Sequence, residues 1–116
     1  MIKNFKSLKI WQRSRSLVKS VYLATNDFPE EERFGLTSQV RRAAVSVPSN
    51  IAEGCGRKTA KDLNRFLDIA IGSICEVETQ LYLAFDLEFI SKGNAKILVE
   101  EIVEIRKMII AFQKTL

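Results

Sequence analysis

The stretch LNRFLDIAIGSICEVETQLYLA, residues 63–84, sets Leu63, Leu67, Ala70, Ile74, Val77, Leu81 and Ala84 at alternating steps of four and three. That spacing keeps all seven side chains on one seam of an α-helix, the signature of helices that pack lengthwise on a neighbour. The last segment repeats it, with Ala95, Leu98, Ile102, Ile105, Ile109, Phe112 and Leu116. Two long helices, at about 59–89 and 92–115, are therefore predicted to lie against each other. Between them EFISKGNAK, residues 88–96, supplies Gly93 and Asn94 for a tight antiparallel turn. Ser91 or Asn94 can cap the last helix by accepting a backbone N–H bond, worth about 1 kcal/mol.

Working outward, the chain before residue 59 offers two more amphipathic segments. The first, about 8–26, places Ile10, Trp11, Leu17, Val18, Val21, Tyr22 and Ala24 on one broad face. It stops near NDFPEEERFG, where Pro29 lacks a backbone donor and Gly35 favours a loop. The second, about 37–54, starts at Thr37 as its expected N-cap and buries Leu36, Val40, Ala43, Ala44, Val47 and Ile51; Gly54 and Gly56 end it. Thr59 followed by Asp62 resembles a capping box at the start of the third helix. No segment alternates with the period of a strand. The expected fold is all-α, an up-down-up-down antiparallel four-helix bundle occupying residues 1–116 as one domain.

The third helix carries a second apolar line at Ile71, Tyr82, Phe85 and Phe89. A helix apolar on more than one side usually buries the extra side against a partner, so these residues are predicted to form a homo-oligomer interface. The alternative is that they widen the core of one small bundle.

Charge separates the ends from the middle. Lys and Arg total 18 against 14 Asp and Glu, a formal net charge of +4. Met1 to Ser20 holds Lys3, Lys6, Lys9, Arg13, Arg15 and Lys19 with no acid, whereas Ala60 to Ile90 is acidic on balance. No apolar run is long enough to span a membrane, and the first residues lack the apolar stretch of a secretory signal. The expected location is the cytoplasm. Cys55 and Cys75, separated along a helix by ~24 Å or more, lie beyond the reach of a disulfide. The absence of histidine removes the usual general base and the usual zinc ligand, so neither a metal, a cofactor nor a small-molecule substrate is predicted.

The blocks LKIWQRSRSLVKSVY, FPEEERFGLTSQVRRAAVSVPSNIAEGCGR and FLDIAIGSICEVETQL together resemble the four-helix bundle family of proteins encoded in intervening sequences of 23S rRNA genes. That family is related in fold to the accessory proteins of diversity-generating retroelements. The resemblance covers essentially the whole chain and implies a basic homopentamer that binds nucleic acid. Its pattern falls on Trp11 and Gln12, on Gln39, Arg42, Ala43, Ser46 and Asn50, on Glu53, Gly54 and Arg57, and on Gly72, Ser73 and Glu76.

Within RRAAVSVPSNIAEGCGRKT, residues 41–59, Pro48 removes one helical N–H, and Ser46, Ser49 and Asn50 are close enough to satisfy the disturbed turn. Gln39, Arg42, Ser46, Asn50, Glu53, Ser73 and Glu76 are expected to form a structural polar network locking the second helix to the third. Adjacent helical residues diverge by about 100°, so Arg42 is assigned inward, toward Glu76, and Arg41 to solvent. Trp11 and Tyr22 are expected in the core.

Three functions remain. A basic surface of Arg13, Arg15, Lys19, Arg41, Arg57 and Lys58, repeated around an oligomer, would bind RNA or DNA backbone by charge and shape. A protein scaffold would instead use Tyr82, Phe85 and Phe89. An enzyme is disfavoured: Glu53 and Glu76 lack the Glu-x-x-His pattern of di-iron bundles, and the charges serve equally as a soluble surface.

Overall fold

A computed structural model describes residues 4–116; Met1 to Lys3, with the basic Lys3, lie outside the described residues. Four α-helices follow in order: α1 (Lys9–Thr25), α2 (Leu36–Cys55), α3 (Ala60–Asp86) and α4 (Lys92–Gln113), with single 3-10 turns at Phe5–Ser7 and Glu30–Glu32. α1 packs on α2 and α4, and α3 packs on α2 and α4, so the helices form a closed square in which α1 and α3 are diagonal. The α3 seam is buried throughout and the α4 seam from Ala95 to Ile109, with Phe112 packed at its edge; Leu116, expected to continue that seam, is exposed because α4 ends at Gln113. Leu63, Leu67, Ala70, Ile74, Val77, Leu81 and Ala84 of α3 meet Ile102, Ile105 and Ile109 of α4 in one core with Leu17, Val21, Val40, Val47 and Ile51.

The helix ends explain most of the boundaries. Thr59 accepts a bond from the Asp62 N–H at 3.1 Å, and Ser91 rather than Asn94 caps α4, accepting from the Asn94 N–H at 3.2 Å. The start of α2 differs from expectation: Gly35 is the N-cap, and Glu32 Oε1 accepts the Leu36 N–H at 3.0 Å. Thr37 is instead inside the helix and buried, its hydroxyl without a partner among the described residues. The carboxylate of the preceding 3-10 turn reaches the free N–H first. α3 also stops three residues short of the expected Phe89, because Glu88 turns into the left-handed region at φ 63 and sends the chain back toward α4. Phe89 then packs on Phe28, ring centroids 5.7 Å apart, closing this end of the bundle.

α2 runs unbroken through Pro48. Ser49 Oγ donates to the Val45 carbonyl at 2.8 Å, and Asn50 Nδ2 donates to the Ser46 carbonyl at 2.8 Å, so side chains reinforce the turn that lost a backbone donor. Below it, Gly54 marks a close approach. A Cβ there would come within 2.9 Å of Leu63 Cδ1 and of Phe66 Cβ, so α2 and α3 cross this tightly only because the residue has no side chain.

Candidate nucleic-acid interface

The basic residues of α1 divide into one that is spent inside the protein and three that are not. Arg13 forks onto Glu101 of α4, Nε and Nη2 donating to the two carboxylate oxygens at 3.0 and 2.9 Å, while Nη1 donates to Glu104 at 3.2 Å. Hydrogen bonds from these carboxylates hold the Arg13 pKa well above its already high ordinary value. Its charge is committed to α4. Lys9, Arg15 and Lys19 are exposed and form no ion pair among the described residues, and α1 contains no acid. Arg15 lies 5.5 Å from the ring centre of Trp11, which itself meets Phe5 edge-on at 5.2 Å. Together with Val18, Val45, Pro48, Ser49 and Ala52 these side chains line an open groove between α1 and α2.

The adjacent arginines of α2 take the opposite roles from those expected. Arg41 Nε donates to Thr25 Oγ1 at 2.8 Å and Nη2 donates to Asn26 Oδ1 at 3.2 Å, with the guanidinium 4.5 Å from the Tyr22 ring centre. It ties α2 to the last turn of α1, where free carbonyls favour a cation. Tyr22 is accordingly a half-exposed platform for Arg41 and not a core residue. Arg42 is exposed and makes no side-chain hydrogen bond or ion pair among the described residues.

Arg57 and Lys58 are exposed at the far end of α2, with Arg57 stacked 4.7 Å from the Phe66 ring centre. The α2 rise from Arg41 to Cys55 alone spans ~21 Å, and Arg57 and Lys58 lie beyond it. The six predicted cations therefore do not converge on one patch. The part that offers free charge on one helix is Arg15 and Lys19, joined by Lys9, a residue the sequence signals only by the lack of acid around it.

The polar network between α2 and α3 is smaller than its sequence pattern. Ser46 Oγ and Ser73 Oγ are 2.9 Å apart, and Asn50 Nδ2 also reaches Ser46 Oγ at 2.9 Å. Gln39, Arg42, Glu53 and Glu76 contribute no side-chain bond among the described residues; Gln39, Arg42 and Glu76 line an open polar groove with Ser38, Gln80 and the loop residue Phe34. The Gln80 Oε1 atom is buried there without a donor. The stronger polar links lie elsewhere: Arg106 Nη1 donates to Glu78 Oε1 at 2.6 Å, raising the Arg106 pKa. The acids at 101 and 104 were the missed signal, since they face an acid-free helix.

The four residues assigned to an oligomer interface separate in pairs. Ile71 and Phe89 pack on their own core. Tyr82 and Phe85 remain 50% and 40% exposed, and with Lys92, Ala95, Lys96, Val99 and Glu100 they line an apolar groove of about 310 Å³ between α3 and α4.

Among the described residues, no group of three Cys, Asp or Glu side chains is placed to hold a metal ion, and no helix is long and apolar enough to cross a membrane. Cys55 is buried and Cys75 exposed, both as free thiols.

No curated protein matches this chain. Among solved structures, a protein of unknown function from the S23 ribosomal protein family of Bacteroides thetaiotaomicron superposes with a TM-score of 0.81 at 23% identity, over 90% of this chain and 98% of that one. That likeness concerns the fold. The description of the 23S rRNA-intervening sequence proteins matches residues 6–111, nearly the whole of the bundle just described, and the chain belongs to that family.

Proposed function

We propose that the protein is a non-enzymatic, homo-oligomeric bundle of the cytoplasm that binds the backbone of RNA or DNA through the outer face of α1. The observation that carries this reading is that Lys9, Arg15 and Lys19 share an acid-free helix and none is neutralised by an ion pair among the described residues. A few cations on one chain bind phosphate weakly. A ring of five copies, the number implied by the resemblance to retroelement accessory proteins, multiplies them, and affinity rises with the number of phosphates neutralised. Arg57 and Lys58 add charge at one end of the bundle. Arg13 and Arg41 serve packing.

A fluorescence titration of labelled RNA hairpins and DNA duplexes across a range of salt tests this. Binding should weaken steeply with salt, and the pair Arg15→Glu and Lys19→Glu should lower affinity by at least about tenfold and flatten the salt slope. Arg13→Gln should leave that slope unchanged. Salt-independent binding, or no loss in the double variant, overturns the reading.

A protein scaffold is the second reading, favoured by the exposed apolar groove at Tyr82 and Phe85. Retention of a stoichiometric protein partner with no binding to either nucleic acid would select it.

A further inference from the structure

The loop before α2 carries an unusual side chain. Phe34 is 86% exposed, on neither heptad seam, and is preceded by Glu30, Glu31 and Glu32. Glu30 pairs with Arg33, and Glu32 caps α2, which leaves Glu31 as the acid without a partner among the described residues. The Arg33 guanidinium lies 4.9 Å from the Phe34 ring centre. The structure therefore presents an exposed aromatic knob on an acidic loop, left uncovered by the described residues.

The groove at Tyr82, Phe85, Ala95 and Val99 is its complement. It is apolar along its floor, about 310 Å³ in volume, and rimmed by Lys92, Lys96 and Glu100, two cations to one acid, none of which forms an ion pair among the described residues. Because α2 and α3 are antiparallel, the start of α2 lies beside the end of α3, so knob and groove sit at the same end of the bundle. They occupy opposite flanks of α3: Phe34 adjoins the α2 side with Gln80, and the groove opens on the α4 side.

From this placement we infer that Phe34 of one copy inserts into the Tyr82–Phe85–Val99 groove of the next, with Glu31 meeting Lys96 at the rim. The inference rests on the homo-oligomeric reading above and names its contact surface. Such a contact is head-to-tail, and a head-to-tail contact whose two halves lie at the same height along the bundle needs rotation without translation. Repetition then adds no rise along the bundle, and a ring closes where that rotation divides a full turn. Both halves border α3, and α1 is diagonal to α3, so every copy keeps its basic helix clear of the contact. A buried aromatic anchor with a charged rim is also the usual form of an energetic hot spot.

Light scattering after size exclusion, over a range of protein concentrations, tests the contact. The unaltered chain should assemble, and Phe34→Ser should need at least about tenfold more protein to do so. Tyr82→Arg should act alike. Circular dichroism should find both variants folded, since Phe34 and Tyr82 are exposed. Lys96→Glu should weaken assembly, and adding Glu31→Lys should restore it. An unaltered chain that is monomeric throughout overturns the oligomeric reading itself. An assembled chain indifferent to Phe34→Ser and Tyr82→Arg overturns this contact alone, leaving the oligomer and the role of α1 standing.

Discussion

The two long seams around α3 are held in different ways. On the α2 side the backbones approach closely: Gly54 lies under Leu63 and Phe66, Ala43, Ala44 and Ala70 are buried, and the polar link is a hydroxyl pair, Ser46 with Ser73. On the α4 side Ile102, Ile105 and Ile109 fill the interface with larger side chains, and long arms bridge its edge: Arg106 to Glu78 and Gln113 to Asp68. Small residues permit a close approach that only short polar groups can cross. Branched aliphatics leave a wider edge that arginine and glutamine can reach over.

The two seams should fail differently. Gly54→Leu forces a side chain into backbone and Cβ atoms that cannot turn aside, and should cost roughly 3 kcal/mol, lowering the melting temperature by more than about 10 °C. A thermal melt at normal stability would mean that α2 slides freely on α3. Next in size is the α4 edge. A double-mutant cycle on Arg106 and Glu78, whose side chains are less than a third exposed, should give a coupling of about 1 to 2 kcal/mol that shrinks in salt. Zero coupling would make the 2.6 Å pair an ornament of the surface. The smallest change is Ser73→Ala, expected below about 1 kcal/mol because Ser46 keeps its bond from Asn50. A larger loss in chemical denaturation would show the hydroxyl pair to be more than a spacer.

The bundle was legible because its seams are repetitive: at 63–84 and 95–109 apolar side chains recur every third or fourth position, and the four-helix packing buries them in one core. What the sequence hid depended on neighbours distant in the chain. Periodicity places Arg41 and Arg42 on different faces but does not say which face meets a partner. That is decided by the last turn of α1, where Thr25 and Asn26 supply acceptors to Arg41. The same holds for Arg13, indistinguishable from Arg15 by composition, yet turned toward α4 and neutralised there. The start of α2 was misplaced for a local reason. Thr37 has the chemistry of a cap, but Glu32 sits in a 3-10 turn that aims its carboxylate at the Leu36 N–H, a geometry that residue preferences do not encode.

The pair of free thiols gives this bundle a gauge of its own breathing. Burial raises the Cys55 pKa, so the native protein keeps that proton where the unfolded chain has begun to release it. Stability from this group is intact at neutral pH and declines as pH rises past roughly 8.5. Cys75, exposed on α3, should react with a thiol reagent at once, whereas Cys55 at the end of α2 waits for its turn to open. The lag between the two modifications reports, in seconds or hours, how often the last turn of α2 opens while the rest of the bundle stays folded.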